Sequence, residues 1–140
     1  MRKIKEICLL IMLSFSFTAC GGADGVENVG ANDFIKKIKE PGVIVVDVRS
    51  EEEFRAGHLQ GAINIDVNSP SFEKMIAGLD KTITYAIYCR SGNRSTIASE
   101  KMLNAGFTNL INFNKGGFAE LSNLKLWVIN DARVESIVIL

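Results

Sequence analysis

A chain of 140 residues with 16 basic and 16 acidic side chains has room for one ordinary domain and a short appendage. A formal net charge of +0 excludes a partner held by bulk basicity, so nucleic-acid binding of that kind is not expected. No internal repeat or low-complexity tract interrupts the chain.

The first 19 residues read as an export signal. Arg2, Lys3 and Lys5 form a basic start, and Ile7 to Phe17 is an apolar run of the length such a signal uses, too short to span a bilayer comfortably. Removing this leader leaves 13 basic against 15 acidic residues. Three cysteines are present, Cys8 inside the leader, Cys20 directly after it, and Cys89. The stretch Phe17-Thr18-Ala19-Cys20, followed by Gly21-Gly22, resembles a bacterial lipobox, with Phe17 where the pattern prefers Leu. That resemblance implies lipidation of Cys20, a membrane tether, and a location in the periplasm or cell envelope. Cys89 is then the only free thiol, either buried and inert or reactive.

Residues 20–30 are Gly-rich and polar and read as a tether. Asn32 or Asp33 is placed to cap a helix running to Glu40, with Phe34, Ile35 and Ile38 on one face, stopped by Pro41-Gly42. Val43 to Val48 is a continuous β-branched run, the pattern of a strand covered on both faces. Ser50 and Glu53 have capping-box spacing and open a short helix that ends at Gly57. Ala62 to Ile65 is a short strand, and Ser69-Pro70 opens a helix through Leu79. Ile83 to Tyr88 is the third strong strand. After a short polar loop, a helix runs to about Ala105, with Ala98, Met102 and Ala105 on one face and Ile97 beside them, and Gly106 ends it. Asn109 to Phe113 is a further strand, and Gly116-Gly117 is a turn. Strands alternating with helices predict an α/β fold with a parallel sheet, whose ligands sit at the carboxyl ends of the strands. Asp47 and Cys89 both belong to that edge.

The loop Cys89-Arg90-Ser91-Gly92-Asn93-Arg94-Ser95 carries the chemistry. It follows an apolar strand and precedes a helix, so its backbone N–H groups can turn inward and form an anion-binding nest. The helix adds the positive end of its dipole, and Arg90 and Arg94 add fixed charge. All three favour a thiolate at Cys89 and suit an incoming dianion. A lone cysteine at a strand end is more often structural; the two arginines, the glycine and the polar side chains around Cys89 point to function.

YCRSGNRS resembles the active loop of rhodanese-type sulfurtransferases. DVRSEEEFRAGHLQGAINI, from Asp47 to Ile65, is similar to the family's first signature, and Lys115-Gly116-Gly117-Phe118 to its final Gly-Gly turn. The resemblance places a rhodanese-like domain at 31–121 and implies a three-layer α/β/α fold with a five-stranded parallel sheet. It implies a sulfur relay without metal or cofactor. Cys89 takes sulfane sulfur from a small anion such as thiosulfate, keeps it as a persulfide, and passes it to a thiol, cyanide or a protein acceptor. Arg90, Ser91, Gly92, Asn93, Arg94 and Ser95 would bind the donor and the transferred sulfur. Arg49 and Glu53 are expected to form an ion pair, His58 to pack in its turn, and Asp47 to tie down loop backbone. Residues 122–140 depart from the family. Leu121 stands where many relatives carry Trp, Trp127 is the aromatic available to replace it, and the apolar last five residues suit an added strand, a contact surface or a shifted reading frame.

Two other readings remain. The domain could carry persulfide or sense oxidants without catalysis. Cys-dependent phosphatases and some arsenate reductases use a similar loop, with five residues between Cys and Arg where this chain has four.

Overall fold

A computed structural model describes residues 25–124 and the short strand Val128–Ile129. Cys8, Cys20, the leader, Trp127 and the last eleven residues lie outside the described residues.

Five strands make one sheet: β1 (Val26–Val29), β2 (Val43–Asp47), β4 (Ile63–Asn64), β5 (Thr84–Tyr88) and β6 (Leu110–Phe113). Their spatial order is β1-β6-β5-β2-β4, and every neighbouring pair is parallel. A second, two-stranded sheet pairs β3 (His58–Leu59) antiparallel with β7 (Val128–Ile129). The helices are α1 (Ala31–Lys37), α2 (Glu51–Ala56), α3 (Phe72–Ala77), α4 (Asn93–Asn104) and α5 (Phe118–Asn123).

Period-two alternation along the central strand builds two cores. Tyr85, Ile87 and Cys89 face one side and pack with Phe72 and Ile76 of α3 and Ala98 and Met102 of α4. Ala86 and Tyr88 face the other and pack with Phe34 of α1 and Leu121 of α5. The fold is therefore the three-layer α/β/α arrangement with a five-stranded parallel sheet expected from the sequence. Leu121, 3% exposed, fills its place without a tryptophan.

Several boundaries differ from the sequence reading, each for a local reason. Val26–Val29, read as tether, are the edge strand, because Leu110 to Phe113 offer a free parallel edge in register with them. The first helix is capped by Gly30 rather than Asn32 or Asp33; Ala31 is buried, and Asp33 sits in the first turn facing the helix dipole. The α3 helix starts at Phe72, since Ser69 and Pro70 form a turn in which the Phe72 N–H reaches the Ser69 carbonyl. Ile97, placed on the inner face of α4, is 48% exposed, while Ala98 and Met102 have no exposure at all. The helix α5 and the strand β3 had no periodic signal, being six and two residues long.

Chain order fixes where a ligand goes. After β2 the chain moves outward to β4; after β5 it moves the other way to β6. The β2 and β5 ends are thus the switch point, and Asp47 lies in register with Tyr88. The loops after Asp47 and after Tyr88 leave the same sheet edge side by side.

Candidate active site

Cys89 is the first residue past β5 and is fully buried. Its sulfur accepts a hydrogen bond from the Gly92 N–H at 3.1 Å. Gly92 makes this turn possible. Its φ is +91°, a left-handed value that side chains resist, and a Cβ there would sit 2.7 Å from the Asn114 carbonyl oxygen. Ser95 and Thr96 donate their hydroxyls to the Gly92 carbonyl at 3.0 and 2.8 Å, and Ser95 also reaches the Phe113 carbonyl at 3.2 Å. These bonds pin the loop to the helix start and to β6.

The sequence reading placed all the loop N–H groups around the sulfur. In the structure Gly92 supplies the one such bond to Sγ among the described residues. Asn93, Arg94 and Ser95 are the first three residues of α4, and the Thr96 N–H is the first to find a helical carbonyl, that of Gly92. Their own N–H groups therefore have no intrahelical acceptor and stand open beside Cys89, where an anion can collect them.

The charged residues are arranged differently from the expectation. Arg49 does not pair with Glu53. Its Nε and Nη2 bind both oxygens of Asp47 at 2.6–3.0 Å, and Nη2 also reaches the Gly57 carbonyl at 2.6 Å. This pair is sealed: the side chains are 5% and 0% exposed. Asp47 also accepts from the Arg49 N–H at 3.0 Å, so it ties down loop backbone as expected. Glu53 instead holds Arg94, with both guanidinium nitrogens on the two carboxylate oxygens at 2.6 and 2.9 Å. The same carboxylate completes the Ser50 capping box. These donors, Arg94 foremost, lower the Glu53 pKa from 4.5 to about 2. Arg94 is raised in turn, chiefly by its hydrogen bonds to Glu53. The reason for the swap is distance along the fold: Asp47 is two residues from Arg49 on the strand end, while α2 carries Glu53 toward the start of α4.

The remaining candidates fall as follows. Arg90, Ser91 and Asn93 are exposed on the rim, and none of the ion pairs among the described residues involves Arg90. His58 stacks on Phe54, ring centroids 3.7 Å apart, and its Nδ1 lies 2.8 Å from the Phe54 carbonyl; this is a packing position. The Phe118 N–H donates to the Cys89 carbonyl at 3.0 Å, and Gly117 passes so close to the Arg90 carbonyl that a Cβ would collide with it. The Gly-Gly turn is thus a wall of the active loop. Sequence reasoning gave no role to Tyr88 or Phe118. The Tyr88 hydroxyl accepts from the Leu59 N–H, burial raises its pKa, and its ring stacks on Phe118 at 6.0 Å. The Arg49 guanidinium lies 3.8 Å over the Phe118 ring. An aromatic directly after a Gly-Gly turn was the available signal. Among the described residues no group of three His, Cys, Asp or Glu side chains is placed to hold a metal ion.

Comparison with known proteins gives the same grouping. The chain is 33% identical over 81 residues to thiosulfate sulfurtransferase PspE of Escherichia coli (strain K12), covering 58% of this chain and 76% of that one. It is 35% identical over 82 residues to thiosulfate sulfurtransferase GlpE of Pseudomonas fluorescens (strain SBW25), covering 58% and 72%. A solved rhodanese-related protein from Thermoplasma volcanium superposes with a TM-score of 0.62 at 27% identity, over 74% of this chain and 97% of that one. Residues 30–124 match the family described as Rhodanese-like domain, a span that takes in both loops, the Gly-Gly turn and α5. On that match, and with its cysteine at the switch point of a parallel sheet, the chain belongs to the rhodanese-like domain family.

Proposed function

We propose that this protein is a sulfurtransferase whose nucleophile is Cys89. The observation that carries the reading is the Cys89 sulfur held 3.1 Å from the Gly92 N–H at the open start of α4. In the first half-reaction the Cys89 thiolate attacks the outer sulfur of thiosulfate. The sulfur–sulfur bond of the donor breaks, its electron pair leaves with sulfite, and a persulfide anion remains on Cys89. The Gly92 N–H and the free N–H groups of Asn93, Arg94 and Ser95 stabilise that anion, and Arg90 draws the donor's charge. Arg94 is held back by its clamp on Glu53, and an incoming anion competes with that carboxylate for it. Because Cys89 is sealed at rest, the exposed residues Arg90 and Ser91 must give way for the donor to reach it. In the second half-reaction a thiol or cyanide takes the outer sulfur and restores the thiolate.

Mass spectrometry of the soluble domain after thiosulfate treatment tests this. A gain of one sulfur on Cys89, absent in Cys89→Ser together with loss of thiosulfate-to-cyanide transfer, is the expected result. A Cys89→Ser protein that transfers sulfur like wild type would sink the assignment.

We also propose that the domain is a lipoprotein held in the envelope by Cys20, a reading supported by the leader and the lipobox-like stretch. Cys20→Ala should move the protein from the membrane fraction or leave the leader uncleaved. A wild-type protein that is soluble, with an N-terminus other than Cys20, would overturn it.

A further inference from the structure

Beside the Cys89 loop lies a recess about 270 Å³ in volume, which shares only Arg90 with the donor chemistry. Its walls are Ala56 and Gly57 at the end of α2, Phe118 and Ala119 at the start of α5, and the side chains of Arg49 and Arg90. Two features suit it to a ligand. The first is an apolar wall, made by the Phe118 ring and the two alanine methyls. The second is unspent cationic donor capacity. Arg49 is 4% exposed, and its Nε and Nη2 are committed to Asp47 and the Gly57 carbonyl, yet Nη1 takes no hydrogen bond among the described residues. Arg90, on the same recess, has no acidic partner among the described residues. The third charged lining group, Glu53, is already bound to Arg94 on both oxygens.

We infer that this recess is the acceptor subsite, and that it selects a small thiol with an apolar body and a terminal carboxylate. The methylene body would lie against Phe118, Ala56 and Ala119. The carboxylate would take the free Nη1 of Arg49 and the guanidinium of Arg90. Both arginines stand next to the Cys89 loop: Arg90 follows Cys89 in sequence, and Arg49 lies over Phe118, whose N–H donates to the Cys89 carbonyl. The bound thiolate attacks the outer sulfur of the Cys89 persulfide. The persulfide sulfur–sulfur bond breaks, its electron pair returns to the Cys89 sulfur as thiolate, and the acceptor leaves as an organic persulfide with no change in total charge. The assignment rests on the sulfurtransferase reading of Cys89.

The test separates the two. Protein is first loaded with thiosulfate and the added sulfur on Cys89 is counted by mass spectrometry. Loaded protein is then discharged by 3-mercaptopropionate, by neutral 2-mercaptoethanol and by cationic 2-mercaptoethylamine, at a pH giving equal thiolate concentrations. The expected order is the carboxylate first, by about tenfold over the neutral thiol, with the cationic thiol slowest. Ala119→Glu, on an exposed helix position, places a competing carboxylate in the recess. It should lower the 3-mercaptopropionate rate at least fivefold more than it lowers the 2-mercaptoethanol rate. Failure to load Cys89 would remove the underlying reading. A loaded protein discharged equally by all three thiols, or an Ala119→Glu protein that slows them equally, would overturn the subsite alone.

Discussion

Glu53→Gln probes a carboxylate that serves two partners. Glu53 closes the Ser50 capping box and clamps Arg94 with two charge-assisted bonds. The glutamine keeps the shape and one acceptor but loses the charge. A pKa drawn from 4.5 to about 2 corresponds to about 3 kcal/mol of preference for the ionised form if counted in full. The Arg94 and Glu53 side chains are 23% and 29% exposed, so solvent screening reduces the expected loss to about 1–2 kcal/mol. For a domain of this size that is a fall in Tm of about 5–10 °C. The sign of the pH dependence follows from the lowered pKa. The contribution is complete above about 4.5, where the unfolded glutamate is ionised, and is lost as pH falls toward 2, where the folded one protonates. The Tm gap between wild type and Glu53→Gln should therefore be constant from pH 5 to 7 and close between pH 4.5 and 2. Activity should move the other way. With Glu53 neutral, Arg94 is free to face the loop, and one unit charge removed at a partly solvated site is worth about 1 kcal/mol, or about a fivefold lower KM for thiosulfate. Thermal melts across pH and steady-state kinetics read both effects. A Tm gap that does not narrow in acid, or a KM that rises in Glu53→Gln, would refute the clamp.

Gly92→Ala should cost at least about 2 kcal/mol and more than tenfold in sulfur transfer, because it combines a left-handed φ with a Cβ contact of 2.7 Å on the Asn114 carbonyl; normal melting and normal kinetics would show that the loop tolerates a side chain. Ser95→Ala removes buried bonds to the Gly92 and Phe113 carbonyls and should cost about 1–2 kcal/mol by urea denaturation, with the thiosulfate KM raised as the loop loosens; an unchanged midpoint would mean that those bonds hold nothing.

The sheet and the place of Cys89 at its carboxyl edge were legible because their signals are local. Val43 to Val46 and Tyr85 to Tyr88 are apolar runs with no helical period, and the next residue after the second is Cys89. The Ser50 and Glu53 spacing announced the capping box that the structure contains. The edge strand Val26–Val29 was not legible. Its sequence, VENV, sits in a Gly-rich stretch and becomes a strand only because β6 offers it a register. The short helix α5 has the same origin. Its first residue is held by the Cys89 carbonyl, a contact across 29 positions that no periodicity foreshadows.

The harder failure concerned which charge meets which. Four ionisable side chains, Asp47, Arg49, Glu53 and Arg94, allow two pairings, and helical spacing favours Arg49 with Glu53, four residues on. That spacing carries weight only if both residues share a helix. Here Arg49 stands before the cap residue Ser50, outside α2, and its side chain turns back along the sheet edge to Asp47, which no water reaches. A carboxylate at 0% exposure is destabilising unless paired, so the partner within reach is taken first. Glu53 is then left for Arg94, 41 positions away, and the Cys89 loop becomes tied to α2. The pairing that helical spacing suggested would have left Asp47 buried alone. The observed one satisfies the most deeply buried charge and places the adjustable, half-solvated pair at the rim, where an incoming anion can compete for it.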